Sequence, residues 1–123
     1  MKPMPIRYVR DMDQARKFYE TLGLTLDFMS RKPRRGPSPV WAELSGSAGG
    51  LALHYIPDDV TVAPTSLGFE SDEPLEDVVE RLRGAGYEPA SEIVDESFGR
   101  SFTIHDPEGL LLQINENDYE LQR

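Results

Sequence analysis

The sequence contains no cysteine and only two histidines among its 123 residues. The lack of cysteine excludes a disulfide framework, a thiolate metal site and cysteine nucleophile chemistry. No apolar run approaches the about 18 residues of a membrane span, and residues 1–7 lack the apolar block of a signal peptide. We therefore expect a cytoplasmic protein with no membrane partner, whose chemistry relies on imidazole, carboxylate, hydroxyl or amide groups.

Basic residues are scarce in the second half of the chain. Residues 1–61 carry 9 basic and 7 acidic groups, whereas residues 62–123 carry 4 and 15. The net charge of −9 argues against a nucleic-acid partner, because phosphates require a basic footprint. An acidic surface raises the local concentration of cationic small molecules, although solubility alone would also account for it.

The length and the 38% apolar content predict one folded domain, and the chain consists of two similar halves. Apolar residues at positions 12, 15, 18, 19 and 22 fall on one helical face, with Asp11 as the N-cap and Gly23 at the end. A second helix is predicted, with Pro74 in its first turn and Gly86 after it. Its apolar face comprises Leu75, Val78, Val79, Leu82 and Ala85.

One strand is predicted before each helix and three after it, from the alternation of apolar residues between turn-forming segments. The strands are Ile6–Val9, Leu24–Met29, Val40–Leu44 and Leu51–Ile56, then Ser66–Glu70, Tyr87–Val94, Arg100–His105 and Leu110–Asn115. The sequence therefore predicts an α+β fold: a single domain, 1–123, of two tandem βαβββ modules at about 1–61 and 62–123. Residues 31–39 form a basic, proline-rich loop, and whether Arg31–Arg35 hold an anion is left open.

Two segments, Arg7–Asp13 and Phe98–Gly109, together with the half-chain repeat, resemble the vicinal-oxygen-chelate superfamily. That superfamily includes glyoxalase I, bleomycin-resistance proteins, fosfomycin-modifying thiol transferases and extradiol dioxygenases. The resemblance covers essentially the whole chain and implies a cup-shaped mixed sheet, usually in a homodimer. One scaffold hosts many reactions, so the function must be read from the site.

In metal-dependent members a divalent ion is held by residues of the first and last strands of each module. The resemblance places these positions at Met4, His54, Ser66 and Gln113. Only His54 is a standard ligand for Zn, Ni, Mn or Fe. We therefore expect no metal and no other cofactor, as in the metal-free bleomycin-resistance branch.

The candidate ligand-binding residues are aromatic or polar. Trp41 and Glu43 share one face of a predicted strand, and the resemblance places His54 on the cup face. The full set is Phe28, Trp41, Glu43, His54, Phe98, Phe102 and Gln113. Core packing is the alternative explanation for each aromatic residue, but as a set they would stack on a flat, partly cationic ligand.

The resemblance implies a homodimeric small-molecule-binding protein that sequesters an aromatic or cationic compound, such as an antibiotic, without catalysis. The alternative is an enzyme of the same superfamily: a metal-dependent lyase, isomerase or dioxygenase-like enzyme, or a metal-free enzyme with His54 as the catalytic residue.

The other ionisable groups are predicted to have no chemical role. His105 is interpreted as structural, and Tyr119 as a surface or dimer contact. The adjacent carboxylates Asp58–Asp59 and Asp95–Glu96 are placed in solvated turns, because neighbouring side chains on extended backbone point to opposite sides.

Overall fold

The computed structural model describes residues 4–62 and 65–121. The chain divides into two compact units, here called unit 1 (residues 1–64) and unit 2 (residues 65–123). Unit 1 contains β1 (Ile6–Val9), α1 (Met12–Leu22), β2 (Thr25–Met29), β3 (Trp41–Ser45) and β4 (Gly50–Tyr55). Unit 2 contains β5 (Leu67–Glu70), α2 (Leu75–Gly84), β6 (Val94–Glu96), β7 (Gly99–His105) and β8 (Leu111–Asn117). Each unit has the order βαβββ, which confirms the predicted α+β class.

The two four-stranded sheets share one topology. The strand order is β1-β4-β3-β2 in unit 1 and β5-β8-β7-β6 in unit 2. In each sheet the first and last strands of the unit pair in parallel, and the remaining pairs are antiparallel. A parallel pair requires a long crossover, and the helix with its two following strands supplies it.

Helix α1 begins and ends where the sequence predicts. The Asp11 carboxylate accepts a hydrogen bond from the Gln14 backbone N–H at 3.0 Å. Gly23, with φ of 128°, ends the helix in a conformation that side chains rarely adopt. The five residues of the predicted apolar face are all buried, and α1 contacts β2 and β4.

Helix α2 is stabilised differently. Pro74 is the N-cap, and the Leu75 N–H donates to Glu116 Oε2 of β8 at 3.0 Å. Arg100 of β7 bonds both Glu116 and Glu76, and this hydrogen bonding lowers the pKa of Glu76 to about 2. The first N–H of α2 is therefore satisfied by the Glu116 carboxylate of strand β8, because the N-cap Pro74 provides no side-chain hydrogen bond. Ala85, predicted on the buried face, is exposed just after the helix.

The predicted strand Tyr87–Val94 is wrong over most of its length, because only Val94–Glu96 forms a strand. Pro89 has no N–H to donate. The Ala90 N–H donates to the Thr103 carbonyl at 2.8 Å, but the Thr103 N–H donates to the Ser91 hydroxyl at 2.9 Å instead of to a carbonyl. A side chain thus replaces the backbone acceptor, and no continuous ladder forms.

Asp95 and Glu96 lie on β6 and not in a turn, which corrects their predicted setting. Glu96 Oε1 accepts from the Ser101 hydroxyl at 3.0 Å. Asp58 and Asp59 are exposed in a turn, as predicted, and Asp58 lies 3.9 Å from Arg10 Nε.

Tyr119 is exposed, and its hydroxyl donates a hydrogen bond to Glu70 Oε1 within unit 2. This bond lowers the pKa of Glu70 and raises that of Tyr119.

His105 is exposed at the end of β7, before the turn in which Asp106 Oδ1 accepts from the Glu108 and Leu110 N–H groups. In the described ranges the helices are too short and too polar to span a bilayer.

Each unit has its own core on one face of its sheet. In unit 1 the buried apolar strand residues on this face are Val9, Ala42, Leu44, Leu51 and Leu53, and Ala52 is also fully buried on the opposite face. In unit 2 they are Phe102, Ile104, Leu112 and Ile114, which accompany the buried residues of α2. Phe102 is only 1% exposed, so the structure places it in the core and not on a ligand-binding face.

Candidate ligand-binding site

A row of three rings crosses the sheet of unit 1. Tyr8 of β1 pairs in register with His54 of β4, which pairs in register with Trp41 of β3. The ring centroids are 5.5 Å apart for Tyr8 and His54, and 5.8 Å apart for His54 and Trp41. Trp41 meets His54 edge-on, at 86°, an arrangement that aromatic pairs favour.

Strand alternation explains why these rings share a face. Residues 42 and 44 of β3 are buried, whereas residues 41, 43 and 45 are half-buried on the other side. Tyr8 is 37% exposed, while its neighbour Val9 is fully buried. The side chains opposite the core thus form a surface that we call the aromatic face: Tyr8, Phe28, Trp41, Glu43 and His54.

Glu43 is fixed within this face by Trp41. The indole Nε1–H donates to Glu43 Oε1 at 3.1 Å. Oε1 can accept further bonds, and Oε2 has no partner among the described residues. The aromatic face therefore combines ring surfaces with a carboxylate.

A β-bulge brings Phe28 to the same face. Leu26 pairs with Leu44 on the core side, and regular alternation would place Phe28 there too. The register shifts between these residues, so that Phe28 pairs with Glu43 instead. Phe28 is 53% exposed, which leaves much of its ring available for contact with a ligand.

His54 has a defined hydrogen-bonding arrangement. Its Nδ1 lies 2.8 Å from the Tyr55 carbonyl oxygen. A carbonyl only accepts hydrogen bonds, so Nδ1 carries the hydrogen and Nε2 of the neutral ring is an acceptor. His54 can thus accept a hydrogen bond from a ligand N–H or O–H.

The four positions that the family resemblance assigns to a metal do not fit a divalent ion. They offer a thioether at Met4, an imidazole at His54, a hydroxyl at Ser66 and an amide at Gln113. In the part of the chain that the structure describes, no three His, Cys, Asp or Glu side chains are grouped so as to hold a metal. Neutral oxygen and thioether donors replace the hydration of such an ion poorly.

The remaining predicted site residues lie in unit 2. Phe98 is half-buried before β7, and its carbonyl accepts from the Asp118 N–H at 2.7 Å. Gln113 is exposed on β8. Tyr8 is not among the predicted site residues, since nothing in the sequence alone sets the register that places it beside His54.

The comparisons with known proteins support the fold. The model of the Glyoxalase/Bleomycin resistance protein/Dioxygenase superfamily matches residues 4–114. The curated proteins gave no significant match. Among solved structures, TioX from Micromonospora sp. ML1 is 18% identical over 96% of this chain and 99% of that chain, with a TM-score of 0.74.

Two similar structures are of resistance proteins. A bleomycin resistance determinant encoded on the transposon Tn5 is 20% identical over 96% of this chain and 98% of that chain, with a TM-score of 0.71. The fosfomycin resistance protein FosX from Listeria monocytogenes is 14% identical over 99% of this chain and 94% of that chain, with a TM-score of 0.72. At these identities the likeness is one of fold.

Proposed function

The chain belongs to the glyoxalase/bleomycin resistance protein/dioxygenase superfamily, and we propose that it is a binding protein that sequesters an aromatic cation without transforming it. The observation that carries this proposal is the aromatic face, where Tyr8, His54 and Trp41 lie side by side. The Glu43 carboxylate next to Trp41 adds a negative charge at the same place.

This combination favours a planar ligand with a positive charge. A cation over an aromatic ring gains about 0.5–1 kcal/mol at an exposed site and about 2 kcal/mol when desolvated. A hydrogen bond from a cationic N–H to Glu43 would be charge-assisted and stronger than a neutral one. The net charge of −9 attracts cations to the protein as a whole, but residues 1–61 carry 9 basic and 7 acidic groups, so attraction at the aromatic face itself rests on Glu43.

The similar resistance proteins support an antibiotic as the class of ligand, since one is named for bleomycin and another for fosfomycin. Sequestration requires only affinity and enough protein, so no group of the site needs to exchange a proton. The chemical nature of the metal positions is consistent with this proposal.

We also propose that two copies of the chain pair. Met29 and Val40 are exposed apolar residues near the start of the basic loop and the start of β3. Burying such residues against a second copy would remove apolar area from water. Sedimentation at micromolar concentrations tests this: dimers that Met29→Glu dissociates would support pairing through this surface, and a monomeric wild type would contradict it.

Fluorescence of the single tryptophan, Trp41, provides the test of ligand binding. We expect the planar cation 10-methylacridinium to quench it saturably, and neutral acridine at pH 8 to bind more weakly. Glu43→Gln should weaken binding of this cation, which has no N–H, about fivefold, because the attraction between unit charges about 4 Å apart is about 1 kcal/mol in water. Glu92→Gln removes the same charge from an exposed loop and is the matched control.

The result that contradicts the proposal is equal binding of the cation by the Glu43→Gln and Glu92→Gln proteins, or no saturable quenching across a panel of planar cations. Mass spectrometry of the recovered compound separates sequestration from catalysis. Unchanged compound after prolonged incubation is the expected outcome.

A specific observation favours a second candidate, a metal-free enzyme. The Nδ1–H of His54 is held by the Tyr55 carbonyl, which leaves Nε2 free to accept a proton from a bound substrate. This candidate predicts a slow chemical change in the bound compound that His54→Ala abolishes. Turnover that persists in His54→Ala would remove His54 from the mechanism.

A further inference from the structure

The basic loop between β2 and β3, residues 31–39, concentrates positive charge. Its basic residues, all of them exposed, are Arg31, Lys32, Arg34 and Arg35. No acidic residue occurs between Asp27 and Glu43, so the sequence around the loop offers these cations no counter-charge. In a chain with a net charge of −9, this loop is therefore a local region of opposite sign that attracts anions.

The four cations of the basic loop are unpaired, whereas arginines elsewhere are not. In the part of the chain that the structure describes, none of the four makes an ion pair or a hydrogen bond through its side chain. The other described arginines all bond protein groups: Arg7 and Arg10 bond backbone carbonyls, and Arg16, Arg81, Arg83 and Arg100 bond glutamates. The donors of the basic loop are thus available to a ligand.

Ser30 fixes the base of the basic loop against β3. Its hydroxyl oxygen accepts hydrogen bonds from the Val40 and Trp41 N–H groups, both at 3.1 Å. Its own N–H donates to the Trp41 carbonyl at 2.9 Å. The loop also contains three prolines, each of which fixes one backbone φ angle. Binding to such a loop costs less conformational entropy than binding to a flexible segment.

A tight turn lies within the basic loop, with Arg34 and Arg35 at its two central positions. The Gly36 N–H donates to the Pro33 carbonyl at 3.3 Å. A Cβ at Gly36 would lie 2.5 Å from Pro33 Cγ, so a side chain there would displace the proline ring. The N–H groups of Arg34 and Arg35 have no acceptor among the described residues. The turn therefore offers two neighbouring guanidinium groups and two unpaired backbone donors.

We propose that the basic loop binds the diphosphate group of a small molecule. A diphosphate carries several negative charges on two linked phosphates, so it can contact Arg34 and Arg35 together while the other two cations of the loop add attraction. Guanidinium groups bind phosphate oxygens through paired N–H donors, and unpaired N–H groups of turns also bind anions. The loop attracts anions, whereas Glu43 of the aromatic face attracts cations, so this inference goes beyond the proposed function.

Titration of the ¹⁵N-labelled protein with inorganic pyrophosphate tests the proposal, at constant ionic strength and with amide chemical shifts as the readout. We expect saturable shifts at Arg34, Arg35 and Gly36. Pyrophosphate should bind about fivefold more tightly than inorganic phosphate, because more negative charge meets the four cations. Equal affinities for pyrophosphate and phosphate, or shifts confined to other residues, would overturn the proposal.

Free pyrophosphate and a nucleoside diphosphate carry the same group, and ADP distinguishes the two sources. ADP that binds more tightly than pyrophosphate, with the same shifts in the basic loop, would support a diphosphate carried by a larger molecule. ADP that produces these shifts but binds equally or more weakly would support the free anion. ADP that shifts only residues outside the loop would contradict the proposal.

Charge-removing variants provide the second experiment. The double variant Arg34→Gln/Arg35→Gln should weaken pyrophosphate at least about tenfold. Lys32→Gln should weaken it about fivefold, whereas Lys17→Gln, the same change on exposed α1, is the matched control and should have little effect. Equal pyrophosphate affinities of the Lys32→Gln and Lys17→Gln proteins would refute the proposal.

Gly36→Ala separates the geometry of the turn from its charge. This variant keeps all four cations but places a Cβ against the Pro33 ring. We expect pyrophosphate to bind about fivefold more weakly, through loss of a hydrogen bond from the displaced turn, in protein whose circular dichroism is unchanged. Wild-type affinity in Gly36→Ala would show that the turn does not form the site.

The two proposals fail independently. Quenching of Trp41 by 10-methylacridinium should persist in the Arg34→Gln/Arg35→Gln protein, because that change removes only positive charge. If pyrophosphate binds but the cation does not, only the proposed sequestration of cations is wrong. If the cation binds but pyrophosphate does not, only the proposal for the basic loop is wrong.

Discussion

Two phenylalanines that the sequence analysis treats alike should behave in opposite ways when replaced by alanine. Phe28 and Phe102 are both predicted to bind ligand, but the structure places Phe28 at 53% exposure and Phe102 at 1%. We expect Phe102→Ala to destabilise the fold and Phe28→Ala to affect mainly ligand binding. The pair tests the assignment of the aromatic face with the same chemical change at each position.

The expected magnitudes follow from burial. Phe102 pairs with Ile114 in the buried layer of unit 2, so its removal leaves a cavity, and such changes cost about 3–5 kcal/mol. Phe28 leaves no enclosed cavity, and about half of its ring is already in water. Its truncation should therefore cost about 1 kcal/mol of folding free energy. For a domain whose total stability is about 5–15 kcal/mol, only the first loss is severe.

Urea denaturation followed by circular dichroism measures both free energies of unfolding, and Trp41 quenching measures cation binding. Phe28→Ala should weaken 10-methylacridinium about fivefold through loss of ring contact. A cost below about 1.5 kcal/mol for Phe102→Ala, or an equal cost for the two variants, would refute the assignment of the two sheet faces.

Three further predictions concern stability. Arg100 holds the pKa of Glu76 at about 2, below its usual 4.5, so the stabilisation from this pair is complete above pH 4.5 and is lost as the pH falls toward 2. Glu76→Gln should flatten that part of the acid-unfolding profile. Asp11→Ala should lower the free energy of unfolding by about 1 kcal/mol through loss of the α1 cap, measured by urea titration. Gly99→Ala should cost at least about 2 kcal/mol in the same assay, because Gly99 has φ of 145° and a Cβ would lie 2.1 Å from the Glu116 carbonyl oxygen.

The elements that can be predicted from the sequence are those determined by local signals. Helix α1 has its N-cap, its apolar periodicity and its terminal Gly23 all within the segment, and its bounds agree with the prediction. The segment Tyr87–Val94 shows the limit, since its apolar residues resemble a strand. Whether a ladder forms there depends on Pro89 and on the Ser91 hydroxyl, which competes for the Thr103 N–H.

Tertiary pairing also determines how α2 begins. Asp72 and Glu73 directly precede the helix, yet Glu73 accepts hydrogen bonds from Arg81 at 2.8 and 2.9 Å. The carboxylate that receives the Leu75 N–H comes from Glu116, 41 positions further along the chain. A partner at that separation leaves no pattern in a single sequence.

The candidate site is only partly predictable for a similar reason. Alternation within β3 is sufficient to place Trp41 and Glu43 on one face. Phe28 joins them through a bulge, and Tyr8 through the parallel register of β1 with β4; both depend on pairing between strands. Aromatic type alone does not distinguish the two faces of a strand, so the sequence does not separate buried Phe102 from exposed Phe28.

The two units carry different side chains on the sheet face opposite each core. In each unit one sheet face packs under the helix, and burial there requires apolar side chains. On the opposite faces Ala52 and Ser101 are buried, whereas most other side chains are half-buried or exposed and can be polar or aromatic. Across three register-paired strands of this face, unit 1 has Tyr8, His54 and Trp41, whereas unit 2 has Gly68, Gln113 and Thr103. One duplicated architecture thus carries aromatic rings and a carboxylate on this face in unit 1, and small or amide-bearing side chains on it in unit 2.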